Sequence, residues 1–249
     1  MKGIIVAHRG SSFEAPENTL ASVNLAWVKD ADAVEVDVHL SLDNRVVVIH
    51  DPDTKRTTGV RKEIKSTNYA DLKLLDAGIW KGSEWQGEKI PLLQEVIDTL
   101  PPGKKLFVEI KGGLKCMEQT VKVLEESERD LKQFILMDFD LEVMKEAKKK
   151  IPRAKLLWLY EFSFLNSHEK NAIELHNIID IAVTEGFNGI NVENILQLNS
   201  EFIRKAAEVN LEVYCWTVDN VERAQYLIDS GIYGVTTNRP DYIKLNLLQ

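Results

Sequence analysis

The residues able to do chemistry in this 249-residue chain stand at the ends of short apolar runs. In AVEVDV, Glu35 and Asp37 are two apart, so on a strand both side chains leave one face while Val34, Val36 and Val38 leave the other. LFVEIKG repeats the arrangement with Glu109 and Lys111. GIIVAH and RVVVIH each close on a histidine: His8, followed by Arg9 and Gly10, and His50, followed by Asp51. Burying several carboxylates is costly unless a cation or hydrogen-bond donors compensate them. Three carboxylates without a thiolate make a hard oxygen site, suited to Mg²⁺ or Ca²⁺, with Mn²⁺ a further candidate. The alternative is a metal-free ionic network with Arg9 and Lys111.

A strand-end histidine is more often structural than catalytic, but two of them beside a carboxylate cluster point to proton transfer. His39 shares the face of Glu35 and Asp37 and is the main competitor of His8 and His50, whereas His168 and His176 read as surface residues. Arg9 offers paired planar donors for phosphate or carboxylate, and Gly10 lets the backbone approach an anion. A phosphate ester bound to a divalent cation suits this set better than a plain carboxylate substrate. Trp216, in VYCWTV, is either an apolar wall for a substrate's carbon skeleton or ordinary packing. No GxSxG elbow, GxxxxGK[ST] loop, GxGxxG fingerprint or HExxH helix is present.

The elements that must position these residues alternate. Eight β-branched runs (GIIVAH, AVEVDV, KLFVEI, FILMDF, KLLWLY, GINVEN, LEVYCWTV and GVTTN) are separated by segments of helical spacing. Those segments are Glu17 to Lys29, Leu92 to Leu100, Lys115 to Glu126, Leu141 to Lys150, Lys170 to Thr184, Ser200 to Val209 and Val221 to Ser230. Strand–helix alternation implies parallel strands with helical crossovers, and eight repeats in about 250 residues predict a single (β/α)₈ TIM barrel over residues 1–249. Neighbouring parallel strands lie ~4.8 Å apart, so His8, Glu35, Asp37 and Glu109 should converge within about 10 Å at the C-terminal mouth. The span from Ser41 to Gly87 breaks the rhythm, with RVVVIHD as an extra short strand, and is expected to be a small cap inserted after the second strand.

Composition sets the outer limits. The apolar fraction of 44% and charged fraction of 28% are those of a globular protein with a substantial core. A formal charge of −8 argues against nucleic acid or an anionic membrane as a partner. No apolar run approaches the ~20 residues that span a bilayer, and the N-terminal run is too short for a signal peptide, so a cytoplasmic protein is expected. Cys116 and Cys215 lack any CxxC spacing and read as buried small hydrophobes. KEAKKK, Lys145 to Lys150, reads as a solvated helix C-terminus. YEFSFL, Tyr160 to Leu165, reads as core, with a subunit contact or a flap as alternatives; the oligomeric state stays open.

Taken in order, the motifs resemble the glycerophosphodiester phosphodiesterase family. AHRGSSFEAPENTL is similar to that family's HRG and PENT motifs, and AVEVDVHLSLDNRVVVIHD to its ExD followed by a strand ending in HD. RTTG, IPLLQEVI, VEIK, WTVD and TTNRPD continue the match along the chain. The resemblance implies a barrel hydrolase that requires a divalent cation and releases sn-glycerol 3-phosphate and an alcohol from glycerophosphodiesters. It implies Glu35, Asp37 and Glu109 as metal ligands, His8 and His50 as general base and acid in unassigned order, and Arg9 and Lys111 on the phosphoryl oxygens. Attack by water and attack through a cyclic phosphate both remain open, as does the alcohol. One departure stands out: Asn238 occupies a position where the family commonly has Asp, which is expected to weaken a contact near the eighth strand. A lysophospholipase D-like enzyme and a non-catalytic phosphometabolite-binding barrel are the competing readings.

Overall fold

In the computed structural model, residues 3–162 and 168–247 are described, without side chains for 168–176. Nine strands form one sheet: β1 Ile4–Ala7, β2 Ala33–Leu40, β3 Val46–Val48, β4 Lys105–Ile110, β5 Phe134–Asp138, β6 Lys155–Tyr160, β7 Gly189–Glu193, β8 Glu212–Trp216 and β9 Gly234–Thr237. Eight run parallel in the order β1-β9-β8-β7-β6-β5-β4-β2, and pairing of β1 with β2 closes them into a TIM barrel. β3 is antiparallel to β2, pairing His39 with Val47, and it is the extra strand expected from RVVVIHD. The flanking helices are α1 Leu20–Val28, α2 Leu93–Asp98, α3 Gly113–Glu126, α4 Leu141–Lys150, α5 His168–Glu185, α6 Ser200–Glu208, α7 Val221–Asp229 and α8 Pro240–Asn246.

Strand parity sorts the core into layers. Val34, Val36 and Val38 lie in the large apolar layer between barrel and helices, together with Met117, Leu124 and Val96. The barrel interior is a smaller cluster of Val6, Ala33, Phe107, Ile135, Met137, Leu157, Leu159 and Tyr214. These fill the interior below the mouth and leave the upper ends of the strands for polar side chains. Two helices differ from their sequence expectation. α1 starts at Leu20, not Glu17, because Thr19 is an extended N-cap whose hydroxyl accepts from the Ser22 amide, which frees Glu17 and Asn18 for the mouth. α8, unforeseen in the apolar spacing, opens with Pro240, whose fixed φ suits a first helical turn.

The segment after β2 builds a third apolar cluster from Val47, Ile49, Ile64, Tyr69, Leu72, Ala77 and Ile90. The segment lies beside the C-terminal ends of β2 and β4, with a cavity between them. Cys116 and Cys215 are buried and unpaired. The basic end of α4 is tied down by ion pairs, among them Lys150 with Glu118 at 3.2 Å and Lys145 with Glu185 at 3.2 Å. Phe162 is buried, while Ser163 to Leu165 of the YEFSFL stretch and the His168 and His176 side chains lie outside the described residues. No helix among the described residues is long and apolar enough to cross a membrane.

Candidate active site

Glu35 and Asp37 on β2 and Glu109 on β4 meet because Asp37 and Glu109 are directly paired across adjacent parallel strands. Each offers an oxygen within 4.8 Å of the others, and all three residues are buried. Burial, then repulsion by Asp37 and Glu109, pushes the Glu35 carboxyl well above its ordinary range. Burial and the Asp37 charge likewise raise Glu109 to about 8. Burial opposes the Asp37 charge too, yet Arg9 and Lys111 outweigh it and hold that carboxyl low. Lys111 Nζ lies 3.3 Å from Asp37 Oδ1 and closer still to Glu109 Oε1. Glu35 Oε1 is buried without a hydrogen-bond partner.

The β1 end explains HRG. Arg9 and Gly10 both have left-handed backbones, φ 55° and 83°. A Cβ at Gly10 would sit 2.5 Å from the Ser22 backbone, so only glycine fits this bend. The bend turns the Arg9 amide onto Glu35 Oε2 at 2.9 Å. The Arg9 side chain lies between Glu17, at 2.9 Å, and Asp37, at 3.2 Å. Asn18, also left-handed at φ 57°, donates to Asp37 Oδ2 at 2.8 Å and accepts from the Asp37 amide.

The two histidines face one cleft of about 270 Å³ in different settings. His8 is half-buried, with Nδ1 2.8 Å from Asn238 Oδ1; desolvation and the Arg9 charge push it down to about 4. His50 is partly exposed and places Nδ1 2.7 Å from Asp51 Oδ1. Arg56 grips Asp51 and holds that carboxyl down at about 2, and it also pairs with Glu17. His39 stays out of the cleft; its Nε2 donates to the His50 carbonyl at 3.0 Å and supports the backbone there. Arg9, Lys111 and Trp216 all line the cleft, and Trp216 meets Phe139 edge-on at 5.9 Å. Trp216 therefore packs and walls the cleft at once.

Several participants escaped the residue-by-residue reading. Glu17 and Asn18 lay in plain view inside PENT, but their contacts depend on the chain staying non-helical until Thr19. Asn238 touches His8 directly, a closer involvement than the peripheral contact expected from its motif, and Asp219 anchors its amide: Oδ2 accepts from Nδ2 at 2.6 Å. Asn191 and Thr236 also line the cleft, and their buried side-chain oxygens lack partners.

A barrel whose mouth carries a buried carboxylate cluster beside two histidines and two cations is a class of enzyme built to handle phosphate esters. Residues 8–242 match the glycerophosphoryl diester phosphodiesterase family. The chain is 31% identical, over 100% of its length and 99% of the relative's, to a glycerophosphodiester phosphodiesterase of Caldanaerobacter subterraneus subsp. tengcongensis. It is 33% identical to the putative glycerophosphodiester phosphodiesterase YhdW of Bacillus subtilis, with 96% of each chain covered. Among solved structures it is similar to a phosphodiesterase of Oleispira antarctica in complex with the product sn-glycerol-3-phosphate, at 28% identity and TM-score 0.84 over 97% of this chain and 95% of that one. This protein belongs to the glycerophosphoryl diester phosphodiesterase family, and is an enzyme of the hydrolase class.

Proposed function

We propose that the protein hydrolyses glycerophosphodiesters to sn-glycerol 3-phosphate and an alcohol, with Glu35, Asp37 and Glu109 holding a divalent cation and two histidines dividing the proton transfers. The observation that carries this reading is the buried three-carboxylate cluster, whose Glu35 and Glu109 line the same cleft as His8 and His50. The oxygen-only donor set fits Mg²⁺ or Ca²⁺, with Mn²⁺ also compatible. The orphaned Glu35 Oε1 and the upward push on Glu35 and Glu109 mark a positive charge that Arg9 and Lys111 do not supply in full. When bound, such a cation neutralises and polarises a phosphoryl group.

The chain's own residues supply the rest. Asp219 Oδ1 accepts from the Asn238 backbone amide and from Thr237 Oγ1, both at 2.8 Å, while Oδ2 holds the Asn238 side-chain nitrogen. With that nitrogen committed, Asn238 can offer His8 only its carbonyl oxygen, which accepts. His8 Nδ1 must then carry the proton and Nε2 must keep its lone pair. His8 is assigned as the general base that takes the proton of the attacking hydroxyl. His50 is assigned as the acid: Asp51 gives a protonated ring its counter-charge, and the ring's proton goes to the leaving alkoxide as the phosphorus–oxygen bond breaks. Arg9 and Lys111 stabilise charge growing on the phosphoryl oxygens, and Trp216 walls the carbon skeleton. Two unpaired buried cysteines suit a reducing compartment, the cytoplasm.

The test is release of glycerol 3-phosphate from glycerophosphocholine and glycerophosphoethanolamine by metal-stripped protein titrated with Mg²⁺, Ca²⁺ and Mn²⁺. Turnover restored by a cation is expected; none with any ion on folded protein overturns the reading. A second readout needs no turnover. Because Glu35 and Glu109 titrate above their unfolded values, their contribution to stability is present below about pH 4.5 and is lost as pH rises, in the case of Glu109 through about 8. The stripped protein should therefore melt on the order of 5 °C lower at pH 8 than at pH 5, and the cation should recover more at pH 8. A cation effect equal at both values contradicts the ligand assignment.

A further inference from the structure

We propose that a second cavity, beneath the segment after β2, receives the leaving alcohol and favours alcohols that carry an anionic group. This rests on the glycerophosphodiesterase reading above and adds the substrate class to it. The cavity, of about 530 Å³, is bounded by Pro52, Asp53, Arg61 and Lys65 on one side and by Lys111 and Lys115 on the other. It is roomier than the 270 Å³ cleft and falls within the usual size of small-molecule sites.

Its position follows from the proton donor. Lys111 lines both spaces. His39, a wall of the cavity, bonds the His50 carbonyl, and Pro52 and Asp53 follow closely after His50 in the chain. The cavity therefore flanks His50 and not His8. The acid must sit beside the oxygen it protonates, so the departing alcohol lies on the His50 side, toward this cavity. The apolar cluster under the segment holds that wall in place before any substrate arrives.

Charge then selects the alcohol. Four cations, Arg61, Lys65, Lys111 and Lys115, face the cavity against two acids, Asp53 and Glu63. Arg61 is matched by Asp53 at 3.0 Å, and Lys111 is held by the carboxylate cluster. Lys65 and Lys115 make no ion pair with any described residue. Surplus positive charge in a chain of formal charge −8 is a local feature and not a reflection of the whole surface. It suits an alcohol bearing a phosphate or carboxylate and disfavours a quaternary ammonium alcohol.

The cation-loaded enzyme should be compared on three substrates that share one glycerophosphoryl half: glycerophosphoglycerol carrying a terminal phosphate, glycerophosphoglycerol, and glycerophosphocholine. In the wild type, kcat/KM is expected to fall in that order, with about tenfold between the first and last. Lys65→Glu combined with Lys115→Glu should lower kcat/KM for the phosphate-bearing substrate about tenfold and raise that for glycerophosphocholine. Lys122→Glu with Lys149→Glu, on exposed positions of α3 and α4, makes the same change in net charge and should move neither. Equal substrate ratios in the wild type and the Lys65/Lys115 variant, with all three substrates still hydrolysed, overturn the cavity assignment and leave the reaction standing. Failure of the wild type to hydrolyse any of the three overturns the underlying reaction, and the assignment with it.

Discussion

His8 and His50 sit half-buried in one cleft, yet one sets Nδ1 against an amide and the other against a carboxylate. An amide oxygen locked as an acceptor fixes a neutral ring's tautomer and adds no charge, whereas a carboxylate gives a charged ring its counter-ion. The difference teaches that two identical side chains can be suited to opposite proton roles by what stands at Nδ1, with desolvation and the Arg9 charge acting further on His8. It also accounts for the chain of residues behind each: Asp219 behind Asn238, and Arg56 behind Asp51.

Removing either ring is the bluntest way to break the comparison. His8→Ala and His50→Ala should each lower kcat on glycerophosphocholine by roughly 10²- to 10⁴-fold, measured with cation present. Retention of full activity by either variant removes that residue from the mechanism.

Swapping the partners sharpens it. Asn238→Asp puts a carboxylate on His8 Nδ1, which favours the protonated ring and raises its pKa from about 4. A base must be deprotonated to work, so the acidic limb of the kcat/KM profile should move upward by about one unit or more. An unmoved acidic limb in Asn238→Asp would separate His8 from that limb. Asp219→Asn, which frees the Asn238 amide to turn over, should cost about tenfold in kcat with little change in KM. The smallest effect is expected from Arg56→Ala, whose ion pairs with Asp51 and Glu17 lie toward solvent: about threefold in kcat, lessened further by salt. A loss as large as that of His50→Ala would give Arg56 a direct role.

Much of this was legible in the sequence because strand parity and barrel adjacency are local rules. Glu35 and Asp37 two apart, and Glu109 on the next parallel strand, needed only period 2 and right-handed crossovers to meet. His50 was legible as the end of an apolar run, and the extra strand as a break in the alternation. What separates the two histidines was not legible, because it depends on a contact between residues 230 positions apart, Asn238 on His8. That contact forms only once β9 pairs with β1 and closes the barrel, which brings the Asp219-anchored amide to the end of the first strand. Asn238 read as a weakened motif position for the same reason: its value lies in the partner across the closure, which no local pattern reveals.

The division of labour is tested most directly with a substrate whose leaving group needs no proton, glycerophospho-p-nitrophenol, assayed on His8→Ala and His50→Ala with cation present. The account predicts that His50→Ala regains most of its lost turnover on this substrate, because p-nitrophenolate departs unprotonated, while His8→Ala stays inactive for want of a base. Equal recovery in both variants, or recovery in His8→Ala alone, would contradict it.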